Sequence, residues 1–203
     1  MKYLFILGRN PELSIAEIKS FLNRTDNVIL NETIRKNGLL LELEKSLDAG
    51  SVDLLGGTLE IGIVMCNLKD INRKDIYMGT ANKFNYVVWD FSEKTENVSE
   101  YLKARFHSER LKTTEKRFTG FVRGQDENFT RKPSSNLISE EFFVFDDMFG
   151  RIIQKCNYKE IERRDMQKPV RREDLSISPR LAKIMINLSE VKDNGMILDA
   201  FCG

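Results

Sequence analysis

Met1-Lys2-Tyr3-Leu4-Phe5-Ile6-Leu7-Gly8-Arg9-Asn10-Pro11 is the stretch from which the fold is read. A short unbroken apolar run, closed by glycine, arginine and proline, suits a strand buried on both faces. It resembles the apolar part of a secretion signal only briefly, because Arg9 follows at once and no small-residue cleavage site is present. No apolar run approaches the roughly 20 residues that span a bilayer. Residues 11–22 predict an amphipathic helix with Leu13, Ala16, Ile18, Phe21 and Leu22 near helical spacing. Residues 28–33 and 38–43 read as strands turning at Lys36-Asn37-Gly38. A short helix over 47–55 ends at Gly56-Gly57, and residues 58–65 form a further strand. Strand–helix–strand–strand–helix–strand is the order of a split βαβ unit, so residues 1–66 are expected to form an N-terminal ferredoxin-like domain. That fold hosts many functions and by itself names none.

Residues 67–84 are polar and connect to a second αβ unit, taken to cover 67–158. Tyr86-Val87-Val88-Trp89-Asp90-Phe91 predicts a strand, residues 98–111 a helix, and residues 117–123 a strand alternating Phe118 and Val122 with polar neighbours. Ser134-Ser135-Asn136 suits the cap of a short helix. A hairpin follows over 142–145 and 151–155, around Asp146-Asp147-Met148-Phe149-Gly150. Residues 159–178 carry no apolar periodicity and read as a charged linker. Pro179 opens a helix whose apolar face is Leu181, Ile184, Met185 and Leu188. Met196-Ile197-Leu198 then starts a buried strand that ends at Asp199. The fold class expected is therefore α+β, with the last residues belonging to a separate αβ layer.

Hydrophobic residues make up 41% and charged residues 31% of the chain, the balance of a globular protein and not of a disordered one. Cys66, Cys156 and Cys202 are odd in number and lack paired spacing, which points to a reducing, cytoplasmic setting and away from zinc or a disulfide framework. The net charge of +1 hides an asymmetry. Residues 1–66 hold 7 basic and 9 acidic groups, a balance of −2, whereas residues 102–132 hold 9 basic and 4 acidic groups, a balance of +5. A local positive field fits a polyanion-binding face, and an ordinary solvated helix face fits it equally well. Trp89, Phe118 and Phe121 are read as core; Phe129 is free to stack on a base. His107 is read as a helix-surface residue, with no nucleophile or metal ligand to pair it.

The sharpest motif is Met196-Ile197-Leu198-Asp199-Ala200-Phe201-Cys202-Gly203, an apolar strand that delivers a carboxylate to its tip and turns into a glycine. In open α/β sheets, ligands sit outside such strand ends. The run resembles motif I of class I methyltransferases, in the Asp-Pro-Phe-Cys-Gly form of nucleic-acid amino-group methylases, with Ala200 in place of the proline. Upstream lie Arg163-Arg164-Asp165, Pro169, Arg171-Arg172 and Ser178-Pro179-Arg180-Leu181, followed by Asn187-Leu188. In this order they resemble the linker and first helix of the archaeal and eukaryotic THUMP-domain tRNA guanine-N2 methyltransferases that act on the nucleotide-10 guanosine. The resemblance is strong from about residue 159 and weaker before it.

It implies a ferredoxin-like domain, a THUMP-like RNA-binding domain (67–158), a linker (159–178) and the start of a Rossmann-like S-adenosylmethionine-dependent domain (179–203). Asp199, Phe201 and Gly203 would belong to the cofactor site, and Lys116, Arg117, Arg123, Arg131, Lys132, Ser134 and Ser135 would contact tRNA phosphates and sugars. The family's Asn/Asp-Pro-Pro-aromatic tetrapeptide is absent, so no catalytic residue is assigned and this chain alone is expected to be inactive and to bind the cofactor poorly. A small activating subunit in the complete enzyme is compatible with the resemblance; a membrane is not implied. The competing readings are a free-standing THUMP-type RNA-binding protein and the front part of a DNA amino-methylase. Without neighbouring strands, residues 180–203 are expected to fray, to fold back on the THUMP-like unit, or to pair with a second copy.

Overall fold

The structure is a computed structural model. It describes residues 1–92, 94–116, 120–123, 129–132, 138–167, 177–192 and 194–198; for 120–123 and 129–132 it gives the backbone course only. Strand β1 (Lys2–Leu7) lies inside the first unit, antiparallel to β3 (Gly38–Leu43) on one side and β4 (Thr58–Asn67) on the other. Its unbroken apolar run has a direct cause. Tyr3, Phe5 and Leu7 enter a core under the helices, while Leu4 and Ile6 enter a second core on the opposite face. Helix α1 (Pro11–Arg24) starts where Asn10 caps it, the Asn10 side-chain oxygen accepting from the Leu13 N–H at 3.2 Å, with Pro11 in the first turn. Strands β2 (Ile29–Arg35) and β3 (Gly38–Leu43) form the expected hairpin, with Lys36 at a positive φ of 52° in the turn. Helix α2 is shorter than expected, Ser51–Leu54 only, because the chain bends through residues 48–50 first. Strand β4 (Thr58–Asn67) completes a sheet in the order β2-β3-β1-β4.

A 3-10 turn (Leu68–Arg73) leads into β5 (Lys83–Asp90), helix α3 (Thr95–Ser108) and β6 (Lys112–Glu115). Strand β6 has no apolar alternation to announce it; it is an edge strand held by parallel backbone pairing to β5. β7 (Gly120–Arg123) and β8 (Phe129–Lys132) form a separate two-stranded antiparallel ribbon. The expected hairpin is β9 (Glu140–Phe145) and β10 (Met148–Lys155). Strand β9 runs parallel to β5, and β10 runs antiparallel to β4, so both units share one eight-stranded, mostly antiparallel sheet: β2-β3-β1-β4-β10-β9-β5-β6. The fold is mixed α+β. The first part of the expected linker is helical, α4 (Tyr158–Met166), yet buries no residue completely; α5 spans Pro179–Leu188.

Three cores hold this sheet. One lies between α1, α2 and the first four strands, and a second between α3 and β5, β9 and β10. The third joins them: Leu4, Ile6, Leu40 and Leu59 of the first unit pack against Trp89, Phe91, Phe143 and Phe145 of the second. The sheet therefore bends back on itself. The β4–β10 ladder shifts register at Phe149/Gly150 and again at Ile152/Gln154, the kind of irregularity that bends and twists a strand pair. Bare glycines admit the rings at the bend. A Cβ at Gly62 would sit 2.6 Å from the Phe143 ring, and one at Gly150 would overlap both that ring and the Ile63 carbonyl. Trp89 is core as expected, its indole N–H donating to the buried Glu141 carboxylate at 2.7 Å, while Lys155 donates to the other Glu141 oxygen at 2.6 Å.

Polar contacts close the seam at its rim. The Lys36 ammonium donates to the Asp90 carbonyl and carboxylate, each at 3.0 Å, and Arg35 pairs with Asp146 at 3.1 Å. Partial burial pushes the Asp90 carboxyl up, but hydrogen bonds from Thr95, Lys36 and the Ser92 N–H outweigh it and hold the carboxyl below its usual range.

Two outcomes follow from the seam. Gly150→Ala is expected to cost about 2–3 kcal/mol in urea unfolding, and adding Phe143→Leu should return part of that loss, since the two residues share one space. Asp90 is held low in the folded state, so its contribution is complete above the ordinary carboxylate range and disappears as pH falls through the lowered value. The melting temperatures of the native chain and Asp90→Asn should therefore differ most near neutrality and converge as pH falls below the ordinary carboxylate range; a gap that widens in acid contradicts the assignment.

Candidate nucleic-acid interface

The basic stretch lies at the β6 edge of the sheet and in the ribbon that follows it. Helix α3 carries Lys103 and Arg105, but both are already engaged. Lys103 pairs with Glu115 at 2.9 Å, and Glu115 also accepts from the Ser99 hydroxyl at 2.8 Å. Arg105 pairs with Glu109 and donates to the Asn72 carbonyl. Arg110, in the left-handed region at φ 60°, ends the helix and turns the chain into β6. Among the described residues Arg110, Lys112 and Lys116 make no ion pair, and Arg110 and Lys112 are exposed. Lys116 is half-buried, and its backbone N–H donates to the Tyr86 carbonyl at 2.7 Å, extending the β5–β6 ladder by one residue. Among the described cations of residues 102–132, Lys103 and Arg105 on the helix are neutralised, while Arg110, Lys112 and Lys116 at the sheet edge pair with no described carboxylate.

Of the residues assigned to tRNA contact, Lys116 is placed fully and lies on this edge. Arg123, Arg131 and Lys132 are placed by backbone register alone: Arg123 lies opposite Phe129, Arg131 opposite Phe121 and Lys132 opposite Gly120. Arg117, Phe118, Ser134, Ser135 and Asn136 lie outside the described residues, so neither the start of the strand expected at 117 nor the helix cap at 134–136 is placed. His107 is exposed on α3, as expected of a surface residue.

Asp199, Phe201 and Gly203, the residues assigned to the cofactor, also lie outside the described residues. The segment before them does not form the buried strand expected at its start; Met196, Ile197 and Leu198 form no strand and are exposed, Met196 to 97%, with no ladder partner among the described residues, as the expectation of a frayed tail has it. Helix α5 does fold back, mainly onto α1 and the loop after α2, with Arg180 also over the Tyr158 ring at the end of the second unit. Sequence reading missed the group that receives it. Glu17 lies on the inner side of α1 and is fully buried, where Ala16 had been expected and is instead exposed.

No family model matches the chain, and no curated protein matches it. Among solved structures it is similar to PH1313 from Pyrococcus horikoshii Ot3, with a TM-score of 0.49 and 11% sequence identity, over 77% of this chain and 56% of that one. The chain thus spans just over half the length of that structure. No helix among the described residues is long and apolar enough to cross a membrane.

The edge can be tested on a sequence-neutral polyanion. Replacing Lys112 and Lys116 by Glu should bring elution from immobilised heparin to lower salt. Glu115→Gln, which removes the carboxylate that neutralises Lys103, should bring it to higher salt. Identical elution of all three proteins would place the polyanion surface elsewhere.

Proposed function

We propose that this chain is the RNA-binding front part of an S-adenosylmethionine-dependent tRNA guanine-N2 methyltransferase, cytoplasmic in location, which presents tRNA to a catalytic domain. In this reading residues 1–66 are a ferredoxin-like domain and residues 67–158 a THUMP-like one. The observation that carries the proposal is the linked set of motifs from Arg163-Arg164-Asp165 through Ser178-Pro179-Arg180 to Asp199-Ala200-Phe201-Cys202-Gly203. The strand order β2-β3-β1-β4, antiparallel throughout with α1 and α2 packed into one core, supports the ferredoxin-like part. The unpaired cations at the β6 edge support an RNA-facing second unit, where phosphate contacts supply affinity and orientation without reading sequence.

A second reading has one observation in its favour. The eight strands of the sheet and nearly all of the three cores lie within residues 1–155, which supports reading them as a free-standing THUMP-type RNA-binding module. Both readings place tRNA on the same face.

Binding of the chain to tRNA is expected to weaken steeply as salt rises. Reversing Lys116, Arg117 and Arg123 to Glu should weaken it further, by about tenfold or more, and flatten the salt dependence. Filter binding against duplex DNA of matched length distinguishes the substrate: equal affinity for both, or a triple variant that binds tRNA as the native chain does, would remove the basis of the proposal.

A further inference from the structure

We propose that α5 is a latch, a helix that docks on and leaves the first unit as one piece, with Gly56 as its seat and Glu17 as its catch. The inference does not depend on the RNA reading. The contact is made of polar bonds. Asn187, almost fully buried, donates from its side-chain nitrogen to Glu17 Oε1 at 2.8 Å and to the Leu54 carbonyl at 2.9 Å. Arg180 donates to the Gly56 carbonyl at 2.6 Å and lies 5.0 Å over the Tyr158 ring, and Lys183 donates to the Asp53 carbonyl at 2.6 Å. Beyond the helix, Glu190 accepts from the Asn23 side chain at 2.8 Å. Ile184 is the one apolar side chain of α5 that is buried. The stripe formed by Leu181, Met185 and Leu188 faces away, exposed to 41%, 52% and 38%. A helix integral to the core would turn that stripe inward.

The receiving surface remains formed when the helix leaves. Glu17 accepts the Gly56 and Gly57 N–H groups, each at 2.7 Å, so its carboxylate keeps both oxygens bonded after Asn187 withdraws. Undocking strands no buried charge, and the freed carbonyls of residues 53, 54 and 56 pass to water. Helix α5 carries its own start, the Ser178 hydroxyl accepting from the Leu181 N–H at 3.2 Å ahead of Pro179. The seat is specific to this helix. The three atoms nearest to a Cβ at Gly56 all belong to Arg180 and Ile184, so this glycine is bare for α5 alone. The latch decides whether residues 177–192 travel with the eight-stranded sheet or apart from it.

Two variants act on the contact and leave the sheet intact. Asn187→Asp sets a carboxylate against Glu17, and Gly56→Ala fills the seat. The other titratable or charged groups around the contact are Arg180, Lys183 and Glu190 at α5, Asp53 of α2, Cys156 after β10 and Tyr158 of α4. Hydrogen exchange on the full chain, corrected for intrinsic rates, gives the readout. The native chain should protect the α5 amides. Asn187→Asp should lower that protection about tenfold or more near pH 7, because it sets a second carboxylate against Glu17. Gly56→Ala should lower it as well, with β1, β4 and β9 unchanged in either variant. Protection of α5 that survives both substitutions overturns the proposal. So does a loss that spreads to β1 and β4, or an α5 already unprotected in the native chain.

Discussion

The structure depends on one steric constraint: aromatic rings of the second unit occupy space that three strands of the first unit and its partner leave empty. Phe91 lies against Gly38, and Phe143 lies against Gly62 and Gly150. With those rings seated, the back of β1 and β3 covers the back of β5 and β9, and the sheet has to bend between β4 and β10. Each large apolar side chain fully buried there stabilises the fold by roughly 1.5–3 kcal/mol, so the seam outweighs the exposed ion pairs at its rim, which contribute about 0–1 kcal/mol each. Lys36–Asp90 and Arg35–Asp146 align the two halves; they do not hold them together.

That hierarchy explains why the two ends of the chain behave differently. The seam and the two helix-covered cores take up the long apolar runs of residues 2–155, and the part of the first unit that meets α5 is a small polar surface around Glu17 and Gly56. Helix α5 meets that surface with the side chains that match it, Asn187, Arg180 and Lys183, and not with its most apolar side. A net contribution of about 0.5–1.5 kcal/mol per hydrogen bond makes such an interface specific in geometry and modest in strength.

Periodicity reported the elements well and their partners poorly. The run 2–8 read as a buried strand, and the hairpins were visible from apolar runs at 28–33 and 38–43 and at 142–145 and 151–155 around turn residues. Strand β6 was invisible because Lys112-Thr113-Thr114-Glu115 owes its place to backbone pairing with β5, which no side-chain pattern encodes. The continuity of the sheet was equally hidden: β4 and β10 are separated by about eighty residues, and their pairing is decided by glycines that look like ordinary turn formers in one dimension. Within α1, spacing marked Leu13, Ala16, Ile18, Phe21 and Leu22, and nothing in that apolar pattern points to the buried Glu17 carboxylate. Its role became legible only with the Gly56 and Gly57 N–H groups in place, since these make burial of the charge tolerable. The basic run was legible as charge; which cations are neutralised depends on Glu115 and Glu109, whose directions follow from the fold.

These constraints together relate the two ends of the molecule. The seam makes the first and second units one body, so the unpaired cations at the β6 edge stand at a set position relative to Gly56 and Glu17. Whatever polyanion lies along that edge is therefore oriented with respect to the seat of α5. Beyond α5, Glu190 is bonded back to Asn23, and residues 194–198 are exposed. The direction of α5 relative to the basic edge is consequently fixed by the polar contacts of a single helix, and a change at Asn187 or Gly56 alters that relation without touching a cation or a core residue. Coupling of this kind needs no path of side chains through the interior, because the rigid element is the bent sheet itself and the variable one is the docking of α5.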